Sequence, residues 1–597
     1  MICVSRPDKS YAGEGHNQSP NPLSNDQTTN EDLNGMVNTR RIRSDDKPLS
    51  DCNSVTPPDD DGTGGDSKGQ HAARRGEAVE STDSAPLPFR SPSPNPDSEA
   101  SGNSWVGLRI FRRLKNGILK FGSFIGPGFM IAVAYIDPGN YATDIAAGAS
   151  YRFRLLFIVL LANLFAIFLQ TLCIKLGTVT GLNLAESCRA FLPRWLNYVL
   201  YFFAEAAIIA TDIAEVIGFA IGLNLLAPAI PLVAGCAISI LDVMIILFFY
   251  RPHGSMSGLR VFEYFIIGLV LSVVVCFCIQ LSLVQDTSIG DVFMGYLPSG
   301  AIVEQQGLYQ ACGILGATVM PHSLYLGSGI VQPRLREYDA KHGLLPTEYS
   351  GDQDGEGNVD NGYYVPSLQA IRHSLKASSV ELATALFTFA LFVNSAILIV
   401  AGISLYNNPE APDADIFSIH KLLTDSISPA AGTIFALALL LSGVSAGIVC
   451  TIAGQMVSEG ALNWRLRPWL RRLVTRSISI TPSIIIAGAV GKKGLNEALN
   501  ASQVVLSVIL PFVTAPLIFF TCMNKYMTIQ PDAARYLVTS GQGGGQVGGT
   551  QPLRAGEHDT GLVKMANSWY TVVFAALVWI IITGMNVANL VLLGRGN

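Results

Sequence analysis

The sequence predicts an all-α polytopic membrane protein of about eleven spans, built as two inverted halves of five with one span more. Three observations predict it. Of 597 residues, 49% are hydrophobic and only 14% charged, with a mean hydropathy of +0.36, too apolar for a soluble chain of this length. Apolar stretches long enough to cross hydrocarbon, roughly twenty residues each, recur about eleven times along the chain. Two of them are interrupted at their middles by a proline beside an ionisable side chain: Asp137-Pro138-Gly139-Asn140 in the first, Met320-Pro321-His322 in the sixth. Five spans separate the starts of the broken pair. That odd number sets the two halves antiparallel, the plan of many secondary transporters.

The elements follow in order. Residues 1–104 are rich in Asp, Ser, Pro, Gly and Asn and are expected to form a disordered cytosolic tail. The tail shows no basic-then-apolar start with a cleavage site, so no signal peptide is expected. A transmembrane domain is expected over 105–595, with spans near 121–147, 154–178, 197–226, 228–250, 258–284, 306–331, 378–404, 430–460, 473–491, 496–523 and 568–593. Polar connections at 332–377 and 525–566 read as long cytosolic loops, the second a Gly-rich linker around Gly541. Bases gather in the loops on one side, Arg465, Arg467, Arg471 and Arg472 above all, while Asp286, Asp291 and Glu304 stand on the other. Lys492 and Lys493 dissent; the rest follow the positive-inside pattern and put the N-terminus in the cytosol. The ten cysteines are scattered and give neither a disulfide framework nor zinc spacing. The net charge of −5 lies in tails and loops, and nothing points to nucleic acid.

Unwound backbone survives in hydrocarbon only where it lines a protected cavity, so the two breaks are the expected binding site. Asp137 brings a carboxylate, Asn140 an amide oxygen and Met320 a thioether, and unwinding at Ala317 would free backbone carbonyls. Carboxylate plus amide oxygen suits a divalent cation. Sulfur adds little for Ca²⁺ or Mg²⁺ and more for Mn²⁺, Fe²⁺ and later ions. The plainer reading is that Met320 packs and Pro321 merely kinks, both common within membranes. Asp137 resists it, because an intramembrane carboxylate is costly and functional by default.

The third span carries Glu205, Asp212 and Glu215, whose spacings of seven and three share one helical face. Such a stripe is a proton path or an ion-pair network, with Arg476 at the start of the ninth span as a candidate partner. His322 is a natural proton carrier at neutral pH, or simply a hydrogen-bonding group. Asp242, Glu263 and Glu381 receive no specific role.

Taken together, Asp137-Pro-Gly-Asn140 and Ala317-Thr-Val-Met320-Pro-His322 resemble the signature of the Nramp family of proton-coupled divalent metal transporters. The similarity extends to Thr211–Glu215, Ser442–Leu462 and Ser502–Ser507, and is strongest to the fungal manganese transporters of that family. It implies a LeuT-like fold with metal held by Asp137, Asn140, Met320 and the carbonyl of Ala317. It also implies that Gln503 and the carbonyl of Ala134 approach the ion as the site closes. His322, Glu205, Asp212, Glu215 and Arg476 would match the family's proton and ion-pair network. One departure stands out: many relatives carry a second histidine five residues after His322, where this chain has Gly327.

The expected function is import of Mn²⁺, with Fe²⁺ and other divalent transition ions, toward the cytosol in symport with protons. The metal is then substrate and H⁺ co-substrate, with no cofactor and no enzymatic activity. Its partners are the ion, protons and the bilayer of the plasma membrane, endosome or vacuole, and the tail is the region open to regulatory partners. A sodium-coupled amino-acid or organic-solute carrier on the same fold is the alternative, though it has no use for a thioether at the break. A magnesium carrier should lack Met320. A membrane metalloenzyme should show a motif such as H-x-x-E-H, which is absent. A channel has no need of two broken helices in inverted halves.

Overall fold

The computed structural model describes residues 126–241, 256–283, 288–345, 362–406, 415–462, 468–531, 534–538 and 561–595. The N-terminal tail, Asp242, Asp286 and the Arg465–Arg467 bases lie outside the described residues.

The first span is two short helices. Helix α1 (Pro127–Val133) runs out in three tightening bonds, the N–H groups of Ala134, Tyr135 and Ile136 each reaching a carbonyl three residues back at 3.1 Å. Asp137 is then extended (φ −126°, ψ 163°) and opens α2 (Pro138–Tyr151). The cause is local. Proline has no N–H and disfavours helical backbone in the residue before it, and Asp is a preferred N-cap.

Helices α3 (Leu156–Thr180), α4 (Leu184–Phe191), α5 (Arg194–Leu226), α6 (Leu232–Ile238) and α7 (Met256–Leu283) complete the first half. The sixth span repeats the break: α8 (Gln305–Thr318) stops, Met320 is extended, and α9 (Pro321–Gly329) restarts at a proline. The break falls at Val319–Met320 and not at Ala317, as the sequence reading had it. The Ala317 carbonyl is open to a side chain for a different reason: it belongs to the last turn of α8, where carbonyls have no partner further along the helix.

The chain continues through α10 (Gln332–Lys341), α11 (Leu368–Ala385) and α12 (Leu391–Ser404), the last two joined by a π-turn over Leu386–Ala390. It ends with α13 (Ile416–Ser426), α14 (Pro429–Leu462), α15 (Pro468–Ala489), α16 (Gly491–Cys522) and α17 (Trp569–Gly594). Among the described residues, eight helices are long and apolar enough to cross a membrane. The broken first span, the start of the fourth at α6 and the shorter ninth at α15 occupy the other predicted places. On α17, Val573, Phe574, Leu577, Ile580, Leu590 and Val591 are exposed, as befits a peripheral helix whose solvent is lipid.

The polar connection expected over 332–377 is shorter than its sequence implied, because α10 and α11 take up both ends. Between them β1 (Gly362–Val365) reaches the other polar connection. That connection holds β2 (Thr528–Ile529), β3 (Arg535–Val538) and β4 (Val563–Lys564), and β1 pairs antiparallel with β3, Gly362 opposite Val538. Buried Asp339 fixes the crossing: it accepts from the Tyr364 hydroxyl at 2.5 Å, the Ser367 N–H at 3.0 Å and the Ser367 hydroxyl at 2.5 Å.

Candidate metal centre

Both breaks lie inside the bundle, and Asp137, Asn140, Ala317, Met320 and Gln503 are all fully buried. Asp137 caps α2, its two oxygens taking the N–H groups of Gly139 (3.0 Å) and Asn140 (3.1 Å). Three oxygens converge on the Asn140 amide nitrogen: Asp137 Oδ1 at 2.5 Å, Tyr135 O at 3.2 Å and Ala317 O at 3.2 Å. Two of these come from the first break and one from the end of α8. Asn140 Oδ1 accepts from the Thr318 hydroxyl at 3.4 Å. Tyr135 O, one residue on from the carbonyl of Ala134 that the resemblance nominated, accepts from the Asn140 amide here, and Asn394 Nδ2 also donates to it at 3.2 Å.

Gln503 arrives from α16. A Cβ added to Gly139 would lie 2.4 Å from its amide nitrogen, so glycine is what lets the Gln503 amide reach the start of α2. A Cβ at Gly316 would lie 2.0 Å from the Gln503 carbonyl, so α8 and α16 touch backbone to backbone here. Gln503 Nε2 donates to Ser502 Oγ at 3.0 Å, and Oε1 has no partner among the described residues.

Beside this centre stands a charged cluster. Arg476, 2% exposed, pairs with Asp212, and its Nη1 lies 3.7 Å from Glu215 Oε2. Glu205 belongs elsewhere: it is only partly buried and bonds to Tyr201, one turn earlier on α5. His322, on the first turn of α9, meets the Thr211 hydroxyl through Nδ1 at 3.2 Å. The structure thus gathers Asp212, Glu215, Arg476 and His322 along α5 and leaves Glu205 two turns away.

Sequence reasoning missed Gln170 on α3. Its Nε2 donates to Tyr135 Oη, Ser323 O and Ser323 Oγ, each at 2.9 Å, joining the first break to α9. A Cβ at Gly327 would lie 2.0 Å from Gln170 Oε1. Glycine at 327 thus leaves room for the Gln170 amide, which those three bonds hold in place, and a larger side chain there would meet it. Gly327→His should cost about 1–3 kcal/mol by overpacking, and adding Gln170→Ala should return most of it. Unfolding temperatures of the single and double variants in detergent decide this; a double variant no more stable than Gly327→His would remove Gln170 as the cause.

Sequence reasoning also assigned nothing to Glu263 and Glu381. Both meet Arg334 on α10, at 3.9 and 3.4 Å, and Glu381 Oε1 accepts the N–H groups of Gly126 (2.7 Å) and Gly128 (3.1 Å) at the head of α1. The half-helix that carries the first break is thereby tied to α7, α10 and α11. The signal was in the sequence as acids at span ends, but their common cation was not.

The Nramp family model (natural resistance-associated macrophage protein-like) matches residues 128–535. The chain is 50% identical over 529 residues to the manganese transporter SMF1 of Saccharomyces cerevisiae, covering 85% of this chain and 91% of that one. It is 54% identical over 415 residues to the iron transporter SMF3 of the same yeast, covering 69% of this chain and 84% of that one. Among solved structures, the manganese transporter of Eremococcus coleocola superposes with a TM-score of 0.59 at 31% identity, over 78% of this chain and 85% of that one.

Proposed function

This chain belongs to the Nramp family, and from that membership and the geometry of its two breaks we propose that it imports Mn²⁺, with Fe²⁺ and other divalent transition ions, in symport with protons. It is an integral multi-pass membrane transporter of divalent metal ions and not an enzyme. The observation that carries the reading is the convergence of Asp137 Oδ1, Tyr135 O and Ala317 O on one point, held at present by the Asn140 amide nitrogen. Three oxygens around a partly positive N–H₂ make a cage fit for a cation. A half-turn of that amide presents its oxygen instead, giving a carboxylate, an amide and backbone carbonyls as hard ligands. Met320, buried at the facing break, supplies the soft ligand. Gln503 has an uncommitted amide oxygen to complete the shell.

Proton coupling has a physical motive. A dication entering beside Asp137 favours its ionised form, so a proton held there must leave. His322, Asp212 and Glu215 stand next along the chain of buried polar groups, and Glu205 two turns further. Import runs toward the cytosol, where the basic loops and the N-terminal tail are placed by the charge pattern, across a plasma, endosomal or vacuolar membrane. Purified protein in liposomes, offered each ion with and without a pH gradient, tests the reading. Mn²⁺ uptake driven by an inward proton gradient is expected; sodium-driven uptake of an amino acid with no metal flux would overturn it.

Selectivity gives a sharper test. Met320→Ala removes sulfur and leaves every oxygen, so Ca²⁺ and Mg²⁺ should lose almost nothing. Mn²⁺ and especially Cd²⁺ should lose about 1–2 kcal/mol, roughly tenfold in affinity. Excess Ca²⁺ should then compete with Mn²⁺ uptake far better than in the parent. An unchanged preference of Cd²⁺ over Ca²⁺ would leave Met320 a packing residue.

A further inference from the structure

Outside the proposed transport centre, among the described residues, one cluster combines three metal-ligating side chains from three different helices. Glu215 on α5, His322 on α9 and Cys450 on α14 are all buried, and each offers a ligand atom within 4.8 Å of the other two. We propose that Glu215, His322 and Cys450 form a second site for a soft divalent cation of the Zn²⁺ or Cd²⁺ class, distinct from the transport centre, whose occupation arrests transport.

The hydrogen bonds prepare the histidine for the role. The Thr211 hydroxyl donates its one proton to Ala207 O at 3.0 Å. Toward His322 Nδ1, 3.2 Å away, it can therefore only accept, so Nδ1 carries the ring proton. The lone pair is left on Nε2, which has no hydrogen-bond partner among the described residues although the side chain is 1% exposed. A ring fixed through one nitrogen with the other free to donate is the usual state of a metal-bound histidine. Cys450 is held in place by a weak Sγ bond to Ile208 O at 3.8 Å on α5.

The ligand set selects the ion. Thiolate, imidazole and carboxylate favour Zn²⁺ and Cd²⁺ over hard cations. The charge closes as well. Asp212 and Glu215 set two negative charges against Arg476, and binding releases the Cys450 thiol proton to water, adding a third. A dication then brings the cluster to neutrality. Such an ion would fix α5, α9 and α14 to one another and occupy both His322 and Glu215, groups the proposed proton path requires. A helix that carries half of the sixth-span break would no longer be free to move relative to its neighbours.

The test uses full-length protein lacking the transport centre. In the Asp137→Ala variant, Cd²⁺ titration should still give one bound ion and the ultraviolet Cd–thiolate charge-transfer band. Adding Cys450→Ser should abolish the band and weaken that binding by about tenfold or more. In liposomes, Cys450→Ser alone should transport Mn²⁺ like the parent but lose the component of Cd²⁺ inhibition that excess Mn²⁺ cannot relieve. A band that survives Cys450→Ser would overturn the proposal, since other cysteines would then hold the ion. So would Cd²⁺ inhibition that Mn²⁺ relieves fully in the parent. Because the binding assay is made without Asp137, its failure is separable from failure of the transport assignment.

Discussion

Asp137→Ala is expected to abolish saturable metal uptake while the protein still folds and inserts. Asp137 is the one formal charge among the proposed ligands; the others are an amide, carbonyls and a thioether. Removing a buried charge from a charged partnership costs about 2–5 kcal/mol. At the upper end that is a loss of more than a thousandfold in affinity. The same side chain caps α2 through the N–H groups of Gly139 and Asn140, so alanine also gives up about 1 kcal/mol of helix stability. Asp137→Asn separates the two effects, because asparagine caps almost as well but carries no charge. Both variants should fail to take up Mn²⁺, and only the alanine should melt earlier. Undiminished Mn²⁺ uptake by either variant would take Asp137 out of the centre.

That expectation was legible in the sequence because the break is a local event. Proline alone does not decide it, since Pro482 lies inside α15 and Pro511 and Pro516 inside α16; but proline after Asp137 and after Met320 disfavours helical backbone in the residue before it, and a capping Asp137 marks where α2 starts. The direction of a backbone carbonyl is not written in residue type. It depends on how α1 unwinds, which is why the Tyr135 carbonyl's contact with the Asn140 amide went unforeseen. Distance in sequence hid other partners. Arg334 lies 71 residues after Glu263 and 47 before Glu381, yet meets both, and Gln170 reaches Ser323 across 153 residues. Helical periodicity placed Glu205 with Asp212 and Glu215, and that was sound for one face. It could not say that a cation arriving from α15 would reach only two of the three.

That cation carries the second large effect. Arg476 is buried on α15 and pairs with two carboxylates three residues apart on α5. Arg476→Met keeps much of the side-chain volume and removes the charge, leaving Asp212 and Glu215 without the guanidinium that pairs with both. Breaking a buried ion pair from one side costs about 3–5 kcal/mol, since the remaining charge has neither water nor its partner. A large fall in unfolding temperature is expected in detergent. Replacing every charge of such a cluster is often close to neutral for stability, because the desolvation cost of all members goes together. The triple variant Arg476→Met, Asp212→Asn, Glu215→Gln should therefore recover most of the lost stability. It should not recover proton flux, since no carboxylate is left in the cluster to hand a proton on from His322. Recovery of stability without coupling would separate the two roles of these residues. If the triple variant stays as unstable as Arg476→Met, the packing of the arginine stem between α15 and α5 holds the helices together, and the charges serve transport alone.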